Sequence, residues 1–183
     1  MKKERTCVIF DLDDTLFETP EIDWMRPKKS CLKKLSNAKP IPEMEFVYQS
    51  MDYMINDPPK WAQKRNDWPQ DIVFCTARPE FFREQTLEAL AEMTGESPSF
   101  LDRRLFMRPY TDDSDLSHES IVTAYESKVW TLAEVINAKY RPVLAFDNST
   151  EAVAAYLEAE IEVVNQTLSA PKDKHEALLR HAA

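Results

Sequence analysis

Five short apolar runs are spaced along the chain: Thr6–Phe10, Asp71–Cys75, Leu105–Met107, Val143–Phe146 and Ile161–Val164. Each is nearly continuous rather than alternating, the pattern of a strand buried on both faces. Between them, apolar positions recur every three or four residues, as along one side of a helix. Met44, Val47, Met51 and Met54 mark a helix over Pro42–Ile55. A second covers Glu80–Met93, with Pro79 at its start, where a missing N–H is tolerated, and Gly95 near its end. Further helical stretches cover Leu116–Asn137 and Thr150–Glu160. Short strands alternating with helices predict a parallel sheet covered on both faces.

The expected fold class is α/β: a Rossmann-like three-layer fold with a central, mostly parallel sheet and a small cap or flap insertion after the first strand. The insertion occupies roughly residues 18–70. It holds Pro20, Pro27 and Pro40, a short helix near Ser30–Leu35, the helix over Pro42–Ile55, and a loop rich in Pro, Trp and Asn over Asn56–Gln70. Residues 1–170 form the expected core and 171–183 a short helical tail with Pro171 at its start.

Composition narrows the options. The chain has 183 residues, enough for one core, and 43% are hydrophobic. The net charge of −9 argues against a broad basic surface that grips duplex DNA, though not against a local basic groove. Three cysteines, Cys7, Cys31 and Cys75, show no paired spacing, so reduced thiols and a cytoplasmic location are expected. No stretch reads as a membrane span, and the first residues lack the apolar region of a signal peptide. With one glycine in the whole chain, a glycine-rich phosphate loop cannot be built.

The residues after each predicted strand carry the chemistry. Asp11 and Asp13 follow the first, Thr76 and Arg78 the second, Asp147 and Asn148 the fourth. In a parallel sheet these ends lie along one edge, where ligands bind. In extended chain, residues i and i+2 point to the same side, so Asp11 and Asp13 would sit together. Two carboxylates that close repel, and such a pair calls for a cation or a shared proton. Taken singly, each residue also has a plainer reading. The acids suit a turn, Thr76 and Asp147 suit helix caps, and Arg78 suits the surface.

Asp11-Leu12-Asp13-Asp14-Thr15 resembles the first motif of the haloacid dehalogenase superfamily of aspartate-based phosphatases. The resemblance implies that Asp11 is a nucleophile toward phosphorus and Asp13 a general acid and base. Val73–Pro79 resembles the second motif, which implies that the Thr76 hydroxyl binds a phosphoryl oxygen. Arg78 could clamp a second oxygen through two hydrogen bonds. Lys128 stands where a third-motif lysine is expected, with Arg108 and Lys139 as alternatives. Val143–Thr150 resembles the fourth motif. It implies a Mg²⁺ site built from Asp11, Asp147 and the backbone carbonyl of Asp13. Asn148 occupies the position where a second acid often stands. Its amide oxygen can serve, and Glu151 is either a compensating acid or a solvated helix residue.

For the substrate, two features count. Arg26, Lys28, Lys29, Lys33 and Lys34 lie in the insertion with Trp24, Tyr48, Tyr53, Trp61 and Trp68. Such residues either meet the phosphates and bases of a single strand or pack the insertion itself. Second, Leu105–Pro109 with its Met-Arg pair, the acidic run Asp112–Ser120, Lys128, Asp147 and the helix at Glu151–Val153 resemble the phosphatase domain of bacteriophage-type polynucleotide kinase/phosphatases. That resemblance implies a 3′-phosphatase acting on nucleic-acid ends, with Arg108 near the substrate. A nucleotidase or other small-molecule phosphatase is the alternative, and a non-catalytic binding module of the same fold a third. The expected partners are thus a phosphorylated nucleic-acid end or a nucleotide, and no membrane. The oligomeric state is open.

Overall fold

The computed structural model describes residues 4–20, 22, 31–109 and 123–165. Five parallel strands form the central sheet: β1 (Arg5–Phe10), β4 (Asp71–Pro79), β5 (Leu105–Arg108), β6 (Tyr140–Asp147) and β7 (Glu162–Asn165), in the order β5-β4-β1-β6-β7. All four strand pairings are parallel. A two-stranded antiparallel ribbon of β2 (Phe17–Glu18) and β3 (Lys39–Pro40) follows β1. The helices are α1 (Leu32–Leu35), α2 (Pro42–Asn56), α3 (Arg83–Thr94), α4 (Pro98–Asp102), α5 (Ala124–Asn137) and α6 (Thr150–Glu158). The class is therefore the α/β one expected.

The side-chain alternation of β1 explains the three layers. Val8 and Phe10 face one side of the sheet, where Met44, Val47, Tyr48 and Met51 of α2 pack with Phe82 and Leu90 near and on α3. Cys7 and Ile9 face the other, against Leu132 and Val135 of α5 and Ala152 and Tyr156 of α6. Strands covered on both faces need apolar residues at every position, which is why the sequence runs were continuous. Burying the aromatic stack of Phe10 on Phe146, with ring centroids 4.7 Å apart, stabilises the sheet centre by roughly 2–3 kcal/mol per ring.

The chain leaves β1 toward β4 and β5, then returns to the other side of β1 for β6 and β7. That reversal opens a crevice beyond the carboxyl ends of the strands nearest β1. The opposite edge is tied by ions. Asp71 accepts from Arg104 Nε at 2.7 Å and from the Tyr140 hydroxyl at 3.3 Å, and pairs with Arg5 at 3.0 Å. The three partners come from β1, β6 and the approach to β5, so one buried carboxylate joins the sheet's amino edge.

Several boundaries differ from the sequence reading. β4 extends past Cys75 to Pro79, and Glu80–Phe82 forms a tight turn of helix before α3. The chain bends there because Pro79 cannot donate to the ladder. The β2–β3 ribbon was not expected, since two-residue strands carry no periodicity. Gly95 ends α3 in the left-handed conformation. Other left-handed turns fall to Asp14, Lys139 and Glu160. The expected helical tail 171–183, the acidic run Asp112–Ser120, and Trp24, Arg26, Lys28 and Lys29 lie outside the described residues.

Candidate active site

The register of β1 sets the site. Phe10 stands opposite Phe74 of β4 and Phe146 of β6. Asp11 therefore emerges between the ends of both neighbours, and its N–H donates to Phe146 O at 3.0 Å. Being odd-numbered like Cys7 and Ile9, it lies on the side covered by α5. Lys128 of α5 reaches down to it. The Lys128 ammonium donates to Asp11 Oδ1 and, at 2.7 Å, to the Cys75 carbonyl. It also lies 2.9 Å from Asp147 Oδ2. Lys128 is 2% exposed, Asp11 5% and Asp147 0%.

Electrostatics follow from that burial. Burial pushes the Asp11 carboxyl up to about 7; Lys128 opposes the rise, while Asp147 and Asp13 add to it. For Lys128 burial favours the neutral amine, but Asp11 and Asp147 outweigh it and hold the group well above its ordinary 10.5. The lysine is thus a fixed positive charge between two carboxylates.

Asp13 sits at the next turn, beside Asp14 in its left-handed conformation. Its carboxylate is gripped by Arg78: Nη2 to Oδ1 at 2.7 Å, and Nε to Oδ1 and Oδ2 at 3.1 and 3.0 Å. The Thr76 hydroxyl lies 3.5 Å from Asp13 Oδ2 and accepts from the Arg78 N–H at 3.2 Å. A cavity of about 250 Å³ opens over this group, lined by Asp11, Asp13, Asp14, Lys128, Asp147 and Asn148, with Thr19 and Pro20 of the segment after β2 at its rim.

The structure thus brings Asp11, Asp13, Lys128, Asp147 and Asn148 around one cavity. Thr76 and Arg78 are buried behind it, in contact with Asp13. Arg108 is buried at the end of β5, two strands from β1, and does not line the cavity. Lys139 is exposed in the turn between α5 and β6, at the amino edge. Glu151 is exposed on the first turn of α6. The aromatic residues go elsewhere. Tyr48 and Trp68 are buried in the core, and Trp61 packs edge-on against Trp68 at 5.0 Å. The Trp68 carbonyl accepts from Thr6 near the amino end of β1, away from the cavity.

Oxygen donors suited to a hard divalent cation meet here. Asp147 Oδ1 accepts from Ser149 N at 2.9 Å, while its Oδ2 is buried without a hydrogen bond, close to the lysine only as an ion pair. Asp11 and Asp147 both line the cavity, and their carboxylates together fit a cation. Among the described residues no three His, Cys, Asp or Glu side chains form a metal cage. A cation would therefore take two carboxylates, with backbone or amide oxygens and water completing the shell. Asn148 Oδ1 accepts from the Thr15 hydroxyl at 3.3 Å, so part of its acceptor capacity is used within the loop.

Sequence reasoning missed two links. One is Thr86, which contacts Arg78. The other is Thr15, which joins the loop after β1 to that after β6. Thr15 was visible as the last member of its motif; Thr86 carries no local signal.

No protein-family model matches the chain, and no curated protein matches it. Among solved structures it is similar to a chain in the structure of a Pnkp1/Rnl/Hen1 complex, with a TM-score of 0.60 and 17% identity over 90% of this chain and 47% of that one. At that identity the likeness concerns the fold alone. The present chain spans about half the length of that neighbour. Among the described residues no helix is long and apolar enough to cross a membrane.

Proposed function

We propose that the protein is a Mg²⁺-dependent phosphomonoesterase of the haloacid dehalogenase type that removes 3′-phosphates from polynucleotide ends. The observation that carries this reading is the Asp11 carboxylate, held by Lys128 beside Asp147 and opening on the cavity that Asp13 also lines. Asp11, Asp147, the backbone carbonyl of Asp13 and Asn148 would hold the ion. When bound, Mg²⁺ supplies positive charge for the phosphoryl oxygens.

The chain's own groups then divide the work. Lys128 orients Asp11 and offsets the negative charge that a phosphate dianion brings. An Asp11 oxygen attacks phosphorus in line, and the bond to the leaving oxygen breaks. Asp13 gives its proton to that oxygen, then takes one from the water that cleaves the aspartyl-phosphate. The Thr76 hydroxyl, 3.5 Å from Asp13 Oδ2 behind the cavity, backs the acid–base residue.

Cavity size supports a large substrate. About 250 Å³ is below the ~300–1,000 Å³ that usually encloses a whole small molecule. A terminal phosphate enters while the rest of the substrate stays outside.

The test is phosphate release from 3′-phosphorylated oligonucleotides, 5′-phosphorylated oligonucleotides and free nucleotides, with and without Mg²⁺. Preference for the 3′-phosphorylated strand, only with Mg²⁺, is expected. Preference for free nucleotides would overturn the polynucleotide assignment, and no release from any of them would overturn the phosphatase reading.

A further inference from the structure

We propose that Thr86 is a positioning residue for this reaction: it locks Arg78 in the rotamer that fixes the Asp13 carboxylate. The inference rests on the phosphatase reading above and assigns Arg78 to the acid–base residue rather than to the substrate phosphate.

The geometry forms a chain. Arg78 is 1% exposed, and two of its nitrogens fork onto Asp13 at 2.7–3.1 Å. Its third nitrogen, Nη1, donates to Thr86 Oγ1 at 3.3 Å. Thr86 is fully buried in the first turn of α3, and its own hydroxyl proton goes to the Phe82 carbonyl at 2.9 Å. With the proton committed there, the hydroxyl presents only lone pairs to Arg78. The guanidinium also lies over the Phe17 ring, 5.9 Å from its centroid. Thus α3 meets the arginine at one end, Phe17 of the ribbon lies near its guanidinium, and its fork sets the plane of one carboxylate.

Asp13 needs such a hold. Its side chain is 14% exposed and sits on a tight turn, so water competes for it and other rotamers are open. It must present an oxygen first to the leaving group and then to the attacking water. In the second step the water oxygen bonds to phosphorus, the phosphorus bond to the Asp11 oxygen breaks with its electron pair returning to that carboxylate, and the water proton passes to Asp13. A base misplaced by a fraction of an ångström loses much of its advantage. Arg78 does not line the cavity, whereas Asp13 does.

The test compares Thr86→Val, which keeps the volume and removes the lone pairs, with Thr86→Ser, which keeps them. p-Nitrophenyl phosphate is the probe, because its leaving group departs without a proton and isolates the second step. With Mg²⁺ present, Thr86→Val is expected to lower the steady-state rate about tenfold, since positioned proton transfer contributes on that order or more. A rapid p-nitrophenol burst near one per chain should precede that slowed turnover, because Asp11 and Lys128 are untouched and only the second step is impaired. Thr86→Ser should keep the wild-type rate to within about twofold, as the acceptor is preserved. A crystal structure of Thr86→Val is the second arm, and the Arg78 guanidinium should there be displaced, with the Asp13 carboxylate turned from its wild-type plane.

Wild-type turnover by Thr86→Val, or a burst that falls in step with its rate, would overturn the proposal. So would an undisturbed fork. If the wild-type protein released no phosphate from any substrate while the fork still moved in Thr86→Val, the phosphatase reading would fail and the positional link would stand.

Discussion

Lys128 balances the charge of the site. Its ammonium is buried between Asp11 and Asp147 and donates to the Cys75 carbonyl. Removing one member of a buried ion group leaves the others uncompensated, at about 3–5 kcal/mol. Lys128→Met should therefore unfold at lower denaturant by about that much, and should lose on the order of 10²-fold or more in turnover. Added Mg²⁺ should restore part of the stability, because a bound cation replaces the missing charge. Chemical denaturation with and without Mg²⁺ checks this; an unchanged midpoint would contradict it. Much of this site was legible in the sequence, because Asp11, Asp13, Asp147 and Asn148 follow apolar runs directly. Lys128 needed the order of motifs, since lysine is common on helices. Arg78 was legible as a residue but not as a partner of Asp13. That contact joins the end of β4 to the loop after β1, 65 residues apart in sequence, a pairing no local pattern encodes.

Among the elements, α5 brings the lysine to the sheet, and its start is secured by a capping box. Thr123 Oγ1 accepts from Glu126 N at 3.1 Å, and Glu126 accepts from Thr123 N at 2.8 Å. Thr123→Ala removes one side of this exchange and should cost about 1 kcal/mol. In a chain of this size that is a fall of about 3 °C in Tm. Turnover should change little, since the ammonium five residues on is fixed by Asp11 and Cys75. Thermal unfolding and kinetics of the one variant decide both points. The five strands were readable from apolar runs because each is buried on both faces. The ribbon of β2 and β3 was not, since Phe17–Glu18 and Lys39–Pro40 are too short to show a period. Trp61, Trp68 and Tyr48 show the converse. Their composition allowed base stacking, but they pack the core and the amino edge.

At the scale of the whole molecule, the two ends of the sheet divide the labour. The amino edge is tied by Asp71 with Arg5, Arg104 and Tyr140, and the cavity of about 240 Å³ beside them is not lined by Asp11. The carboxyl edge gathers acids, a lysine and a cavity where the strand order reverses. With a net charge of −9, a phosphorylated substrate of the proposed kind would need local positive charge there. The tip of β1 is proposed to carry the phosphoryl acceptor. Acid-quenching the protein during turnover of a 3′-phosphorylated oligonucleotide with Mg²⁺, then weighing its peptides, reads this directly. The peptide containing Asp11 should gain the mass of one phosphoryl group, and Asp11→Asn should give neither that peptide nor free phosphate. Steady phosphate release by Asp11→Asn, or a phosphoryl group found on another residue, would contradict the account.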